Sequence, residues 1–325
     1  HFDIRVSHKD IELKGSGKLG DSDADIHWHE YFETSGNNPE YDSKIVASVA
    51  STDELRLKLG VGLEDYISGI LPVEVNYLSP PGPEASAKVT GKLDDLSVFI
   101  DFLNFQRRPL GIGSFELLAD FRDGELQNIT SLAIQSEDME VDSGKLAFIR
   151  KNNENHLSAG TLTGVKVDEN VIRNIAFEIT AEDVLKIKAD GSFLDARWFV
   201  APPVFETGET TLASDTANKE IRSQADEKEK AKIVSASFER MIMDPDHPLE
   251  TVKLYIQTDA QQNLTQLEMD AVAGEGDIYL RYKPDEQGVK GFRLEVDDAG
   301  AGLRAFDFYD NVSEGELTIV ASPKS

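Results

Sequence analysis

The chain has 325 residues, and its 60 acidic residues against 33 basic ones give a formal net charge of −27. This charge repels nucleic acids and anionic membrane surfaces, so we expect no nucleic-acid partner. Because the sequence contains no cysteine, disulfides, thiol nucleophiles and zinc–thiolate sites are excluded. No run of 18 apolar residues is present, and the start, HFDIRVSHKD, has no signal-like apolar segment, so we expect a soluble piece of a longer protein.

Alternation of apolar and polar residues dominates the chain and predicts β-strands. The clearest runs are FDIRV at 2–6, VEVNY at 73–77, FELLADF at 115–121, LKIKA at 185–189, VKLYIQT at 252–258 and FRLEVD at 292–297. Turn signals such as RDGEL at 122–126 separate successive runs at hairpin spacing. Each such strand has one apolar and one polar side, so the predicted fold is all-β and mainly antiparallel, with a long sheet that has one apolar face.

A few short segments depart from this alternation and predict helices. They are residues 51–62, 193–200 and 299–309. In the first, Ser51 and Glu54 fit a capping box, although LRLKL within it also alternates as a strand would. Asp195 and Asp298 are the expected N-caps of the second and third.

A polar stretch divides the chain. From residue 206 to 232 the sequence is rich in Thr, Ser, Ala, Lys and Glu and has few large apolar residues. Such a composition predicts a linker or a long exposed loop. The predicted organisation is therefore a first segment at 1–200, a polar linker at 201–232 and a second segment at 233–325. Both segments show strands followed by a short capped helix, which leaves an internal duplication open.

The stretch IHWHEYF at 26–32 is a candidate metal site. His27 and His29 would share one side of a strand, with Glu30 beside them, and two histidines can begin a zinc site. A third ligand would have to come from His8, His156, His247 or a carboxylate, and no spacing selects one of them. The alternative is an ordinary strand with Ile26 and Trp28 on one side and the histidines on the other. We favour that alternative and expect no metal.

Other chemical motifs lack their required context. GSGKLG at 15–20 fits a dinucleotide-binding fingerprint, but no amphipathic helix follows it. DSDAD at 21–25 resembles half of a calcium loop, but Ile26 stands where glycine is needed and Phe32 where glutamate is needed. No serine lies in a nucleophile motif, and carboxylate pairs are expected by chance among 60 acidic residues. We therefore expect no enzyme activity and no cofactor.

The apolar side of the alternating strands is the candidate functional site. It could be an ordinary packed core or a face open to acyl chains, and periodicity does not separate the two because both need one apolar side. Burial of a 16-carbon chain at about 0.8 kcal/mol per CH₂ would contribute up to ~13 kcal/mol. The candidate lipid-binding residues are Phe115, Leu117, Phe121, Ile179, Leu185, Ile187, Val252, Leu254, Ile256, Phe292, Leu294 and Val296.

Four blocks of sequence, in matching order, resemble a known family. They are DIHWHEYF at 25–32, TDELRLKLGVGLEDYISGILPVEV at 52–75, ADGSFLDARWFV at 189–200 and DDAGAGLRAFDFYDNVSEGELTIVASP at 297–323. Together they resemble the AsmA-like superfamily, in its YhdP/TamB-related branch, which carries a domain of formerly unknown function. The chain departs from that pattern at Trp198, where the family has proline after the DAR triplet, and at Glu314, where it has the first glycine of a pair.

The resemblance implies a segment of a bridge-like protein in the periplasm of a Gram-negative cell. Such proteins are anchored in the inner membrane by an N-terminal helix, which we expect to lie outside this sequence. They carry phospholipid or another acyl-chain lipid to the outer membrane through an apolar groove in a long, twisted, curved β-sheet, and they support outer-membrane integrity. The resemblance implies no catalytic residues and leaves room for an outer-membrane partner. The helix after Asp298 would cap or bend the sheet.

An alternative function is a non-conducting envelope scaffold or an outer-membrane protein assembly factor. In that case side chains of the protein itself would fill the apolar face. Solvent access to Phe115, Leu185 and Leu254 would separate the two functions, since an accessible face favours transport and a filled one favours a scaffold.

Overall fold

The computed structural model describes residues 1–32, 40–58, 67–100, 105–107, 112–151, 154–197, 230–285, 288–309 and 311–321. These residues form β-sheet and two short helices, and almost all strand pairs are antiparallel. The predicted all-β, mainly antiparallel fold with a few short helices is confirmed. The chain forms two compact units, His1–Asp168 and Glu169–Ser325, called here the first and second units.

The elements of each unit follow the alternating runs of the sequence. The first unit contains β1 (Phe2–Val6), β2 (Asp10–Leu19), β3 (Ser22–Tyr31), β4 (Ser43–Ser51), α1 (Asp53–Lys58), β5 (Ile67–Gly69), β6 (Leu71–Ser79), β7 (Glu84–Lys92), β8 (Leu96–Ile100), β9 (Phe105–Arg107), β10 (Gly113–Arg122), β11 (Glu125–Ser136), β12 (Met139–Lys151) and β13 (Glu154–Val167). The second contains β14 (Asn170–Ile179), β15 (Leu185–Asp195), β16 (Lys232–Ile242), β17 (Leu249–Thr258), β18 (Leu264–Ala273), β19 (Gly276–Pro284), β20 (Lys290–Val296), α2 (Ala299–Ala305) and β21 (Leu317–Ala321).

In the first unit the main sheet is an antiparallel meander. Its pairing order is β1, β2, β3, β4, β6, β7, β10, β11, β12 and β13. A small antiparallel sheet of β5, β8 and β9 accompanies it. The predicted turn at 122–126 is the hairpin between β10 and β11, where Asp123 and Gly124 both have positive φ. Two residues with positive φ match the right-handed twist of the flanking strands.

In the second unit one pair of strands is parallel. β14 and β15 are antiparallel, β15 and β16 are parallel with Leu185 opposite Lys232, and the order β16 to β21 is an antiparallel meander. A parallel pair requires a crossover connection, whereas antiparallel neighbours need only a hairpin. Most of the predicted linker lies outside the described residues, so the division into 1–200, 201–232 and 233–325 stays a prediction. The compact units themselves divide between Asp168 and Glu169.

The first and third predicted helices are present, with shifted ends. α1 is capped by Thr52, whose Oγ1 accepts a hydrogen bond from the Leu55 backbone N–H at 3.3 Å, so the predicted cap Ser51 was one residue early. The Asp298 carboxylate caps α2 as predicted, accepting from the Ala301 backbone N–H at 3.0 Å. α2 ends at Ala305, earlier than expected.

The predicted second helix, residues 193–200 with Asp195 as its N-cap, is described only up to Arg197, which is helical. β15 continues through Asp195, because Phe193 pairs with Val171 of β14 and Asp195 with Ile242 of β16. Hydrogen bonds to strands on both sides override a short helical pattern, which is a weak local preference. Asp195 does accept a hydrogen bond from the Arg197 backbone N–H at 3.1 Å, and the predicted residues from 198 onward lie outside the described part of the chain.

A buried arginine ties α1 to the first unit. The Arg56 guanidinium donates to the Ser51 carbonyl at 2.8 Å and to the Gly69 carbonyl at 3.0 Å, and it also pairs with Asp53. Burial lowers the pKa of Arg56, although the nearby Asp53 carboxylate opposes that shift. In turn, Asp53 accepts a hydrogen bond from the Gly69 backbone N–H at 3.1 Å. Through these hydrogen bonds the Arg56 guanidinium holds the end of β4, helix α1 and β5 together.

Candidate functional site

In the second unit, the strand register aligns apolar residues into rows that cross the sheet. One row consists of Phe177, Ile187, Val234, Ile256, Leu267, Tyr282 and Phe292. The adjacent row consists of Ile175, Ala189, Ala236, Leu254, Met269, Leu280 and Leu294. Residues that pair across strands point to the same side of a sheet, so the two rows form one surface, called here the second apolar face.

All candidate lipid-binding residues of the second unit belong to this face. Ile179 pairs with Leu185 beyond the end of the first row, and Val252 and Val296 pair with Phe238 and Ile278 at the opposite end. The candidates Ile187, Leu254, Ile256, Phe292 and Leu294 lie within the two rows. The structure thus brings these side chains together, and their binding of lipid stays a prediction.

One end of the second apolar face is covered and the other is not fully buried. Val252 is 1% exposed and Val296 is 3% exposed, and α2 packs over Val296 through Gly302. A Cβ atom built on Gly302 would stand 2.4 Å from Val296 Cγ1, so only glycine allows this approach. By contrast, Ile256 and Phe292 at the other end are half-buried. The face therefore has a closed end under α2 and a half-buried end away from it.

The opposite side of the same strands is charged. Glu268 lies 3.3 Å from Arg281 and 3.4 Å from Lys283, and Lys186 lies 3.6 Å from Glu178. Burial raises the pKa of Glu268, but hydrogen bonds from Gln266 and Lys283 outweigh it and hold that pKa below its usual value. These pairs are partly exposed and contribute little stability individually. They make the sheet amphipathic, with water on one side and apolar side chains on the other.

The first unit has its own apolar face. Phe115 pairs with Ile134, and Leu117 pairs with Leu132 and Val89, so these two candidates share a side with their cross-strand neighbours. Phe121 lies on that side too, and its ring meets the Tyr77 ring with centroids 5.7 Å apart. The candidates Phe115, Leu117 and Phe121 are all half-buried. At one end of this face, Leu55 of α1 forms a buried cluster with Ala24 and Val49.

The two histidines of β3 lie on the side away from that apolar face. His27 Nε2 is 3.0 Å from a Glu12 oxygen, whereas His29 Nε2 is 3.2 Å from an Asp10 oxygen and its Nδ1 is 2.9 Å from the Tyr41 hydroxyl. The predicted alternation of β3 is correct, because Trp28 and Ile26 pair with Ile45 and Ala47 on the other side. Hydrogen bonds from Ser7 and His29 lower the pKa of Asp10.

Each histidine of β3 therefore has its own carboxylate. Within the described ranges, no group of three or more histidines and carboxylates is placed to hold a metal ion. Of the other candidate ligands, His247 Nδ1 lies 2.8 Å from an Asp244 oxygen, in the turn after β16.

The nucleotide-like motif is part of a hairpin. Residues 15–19 belong to β2, and β3 begins at Ser22, so a strand follows the glycines where a dinucleotide site needs a helix. Asp23 of the calcium-like stretch lies in β3 and pairs with Lys18 at 3.0 Å. Both motifs are explained by the turn between two antiparallel strands.

An open pocket of about 250 Å³ lies beside a bulge of β17 in the second unit. Thr251 has a φ of 52°, a left-handed backbone that is rare for a β-branched residue. Arg173 at the pocket wall pairs with Glu239 and, at 3.3 Å, with Asp190. The guanidinium of Arg173 is therefore paired with two carboxylates.

Comparisons with known proteins do not extend these findings. The chain matches no protein-family model and no curated protein sequence. Over the residues that the structure covers, no helix is both long enough and apolar enough to cross a bilayer. The resemblance to the AsmA-like superfamily therefore stays a prediction.

Proposed function

We propose that this protein is a periplasmic segment of a bridge-like, inner-membrane-anchored protein that carries phospholipid between the inner and outer membranes. One observation carries the proposal: apolar side chains form two adjacent rows across β14 to β20, and many of them are only half-buried. In this mechanism acyl chains lie on the apolar faces and headgroups stay in water. No covalent step and no cofactor is involved.

The dimensions of the second apolar face suit an acyl chain. Neighbouring strands lie about 4.8 Å apart, so the rows from β14 to β20 extend roughly 29 Å. The hydrocarbon half of a bilayer is about 15 Å thick, so a chain lying across the strands fits within one row. Each buried CH₂ group contributes about 0.8 kcal/mol, and sliding along a row exchanges one apolar contact for another. Lateral movement therefore costs little once the chain is bound.

Nine of the twelve candidate residues are half-buried, whereas Val252, Leu294 and Val296 are buried, and the partial exposure of the nine supports lipid binding over a scaffold. Phe115, Leu185 and Leu254 are half-buried, so each retains surface that an acyl chain could cover. A scaffold would bury these side chains against a second layer, as the sheet does with Val252 and Val296 at the closed end. A charged opposite side keeps the other surface in water, which orients lipid to one side only.

The proposal is tested by native mass spectrometry after incubation of the purified chain with phospholipid vesicles. Leu254→Asp places a carboxylate in the middle of the second apolar face, and Ser237→Asp places the same charge on the opposite side of neighbouring β16. We expect the wild type and Ser237→Asp to carry phospholipid and Leu254→Asp to lose it, with circular dichroism unchanged in all three. A wild type that takes up no lipid would replace this function with the scaffold. Equal loss in both variants would show that the face is not the binding surface.

A further inference from the structure

Two lysines lie on the second apolar face at its half-buried end. Lys232 pairs with Thr258 across β16 and β17, one step beyond Val234, and Lys290 pairs with Pro284 across β19 and β20, one step beyond Phe292. Both are half-buried. Because side chains alternate along a strand, Lys232 lies on the same side as Val234, and Lys290 on the same side as Phe292. These two positive charges stand out in a chain whose net charge is strongly negative. We call them the rim lysines.

The rim lysines have unused hydrogen-bonding capacity. Lys290 Nζ donates to the Leu264 carbonyl at 3.0 Å and lies 5.8 Å from the centre of the Tyr282 ring, which leaves further N–H donors. Lys232 has no ion pair or hydrogen bond from its ammonium group among the described residues. Lysine only donates, so each ammonium requires an acceptor from outside the apolar rows.

Besides Lys232, a second polar group at this rim lacks a hydrogen-bond partner among the described residues. Thr258, the register neighbour of Lys232, has a buried hydroxyl without a hydrogen-bond partner in the part of the chain that the structure describes. Buried hydroxyls almost always have a partner, so an exception needs an explanation. A phosphate oxygen is an acceptor for both an ammonium and a hydroxyl, and it would satisfy the two groups together.

The acids in the adjoining turns are engaged elsewhere. Asp259 accepts hydrogen bonds from the backbone N–H groups of Gln261 and Asn263, both at 2.9 Å, which shape the turn after β17. Asp285 accepts from the Val289 backbone N–H at 2.9 Å. Asp183 lies 3.8 Å from Lys230, a different lysine. Hydrogen bonds from Asn263 hold the pKa of Asp259 below its usual value, and the charge of nearby Lys290 lowers it further.

We propose that the half-buried end of the second apolar face binds glycerophospholipids with a net negative headgroup, through the phosphate at Lys232 with Thr258 and at Lys290. This inference rests on the proposed function and adds headgroup selectivity and orientation to it. The headgroup lies at the rim lysines, and the acyl chains extend from there across the strands, within the rows of the second apolar face. Four strand spacings separate the two lysines, roughly 19 Å, so each serves a separate lipid molecule.

The test is a competition between two lipids with identical acyl chains, phosphatidylglycerol and phosphatidylcholine. The purified chain is incubated with an equimolar mixture of their vesicles, and native mass spectrometry measures the ratio of the bound lipids. The variant Lys232→Gln/Lys290→Gln removes the rim charges. The control Lys188→Gln/Lys253→Gln removes the same amount of charge from the other side of the sheet, because Lys188 of β15 and Lys253 of β17 point away from the second apolar face. A second variant, Thr258→Val, keeps the shape and removes only the hydroxyl.

We expect the wild type and the control to bind phosphatidylglycerol about fivefold more than phosphatidylcholine, which is modest because the rim is partly solvated. The rim variant should bind the same total lipid with a ratio near one, and Thr258→Val should give an intermediate ratio. A wild-type ratio near one with lipid bound would overturn the headgroup inference alone. An equal fall in the control would also overturn it, because the preference would then come from net charge. A wild type that binds neither lipid would overturn the proposed function together with this inference.

Discussion

The contact between α2 and the second apolar face is specific enough to be tested by a double-mutant cycle. A Cβ built on Gly302 stands 2.4 Å from Val296 Cγ1 but 3.5 Å from Val296 Cβ, which is ordinary contact. Gly302→Ala therefore forces helix and strand apart, at a cost of about 1–3 kcal/mol for overpacking. Against this, alanine gains about 1 kcal/mol over glycine within a helix. We expect a net loss of roughly 1 kcal/mol.

The second mutation removes the clash. Val296→Ala deletes two methyl groups from a side chain that is 3% exposed, which costs about 2–3 kcal/mol including the cavity. In the double variant the new methyl of residue 302 enters that space, and the helix gain remains. The double variant should then lose about 2 kcal/mol less than the sum of the single variants, within the range of contacting pairs.

Hydrogen exchange of the native protein, followed by mass spectrometry on peptides that cover β20 and α2, reports the local free energy of opening. Val252→Ala is a matched control, because Val252 is equally buried on the same face and is not among the atoms nearest a Cβ at Gly302. Gly302→Ala combined with Val252→Ala should be additive within about 0.5 kcal/mol. If the effects of Gly302→Ala and Val296→Ala also add up within about 0.5 kcal/mol, the assigned contact is refuted.

Three further predictions concern polar groups. Arg56→Met should destabilise the first unit by about 3 kcal/mol in urea unfolding, because it leaves two backbone carbonyls and a carboxylate without their donor; a loss below ~1 kcal/mol would contradict the tie between α1 and β5. Asp298→Ala should accelerate hydrogen exchange at the start of α2 by about fivefold, the effect of losing an N-cap worth ~1 kcal/mol, whereas Asp298→Asn should preserve protection. Hydrogen bonding from Arg197 holds the pKa of Asp195 below its ordinary value of 3.8, so its contribution is present above that value and is lost as the pH falls through the lower folded value. Acid titration of stability should accordingly be flatter in Asp195→Asn, and an unchanged slope would argue against this pair.

The sequence determined which residues form strands and which side of each strand is apolar. FRLEVD predicted β20 and placed Phe292, Leu294 and Val296 on one side, because alternation follows from the geometry of a single extended chain. Asp298 predicted the start of α2 for a similarly local reason, since an N-cap bonds within its own turn. The alternation of β3 likewise assigned its histidines to the side away from Trp28.

Only the tertiary structure decided which of these residues become neighbours and how deeply they are buried. Val296 and Phe292 lie on the same side of β20, yet Val296 is buried under α2 and Phe292 is half-buried. The parallel pairing that sets Lys232 opposite Leu185 joins residues far apart in the sequence, and it also extended β15 through a segment with a helical pattern. Strand register and helix cover depend on long-range hydrogen bonds and packing, which no local period encodes. For that reason the apolar residues of the candidate site were predicted, whereas the lysines at its rim were found only in the folded chain.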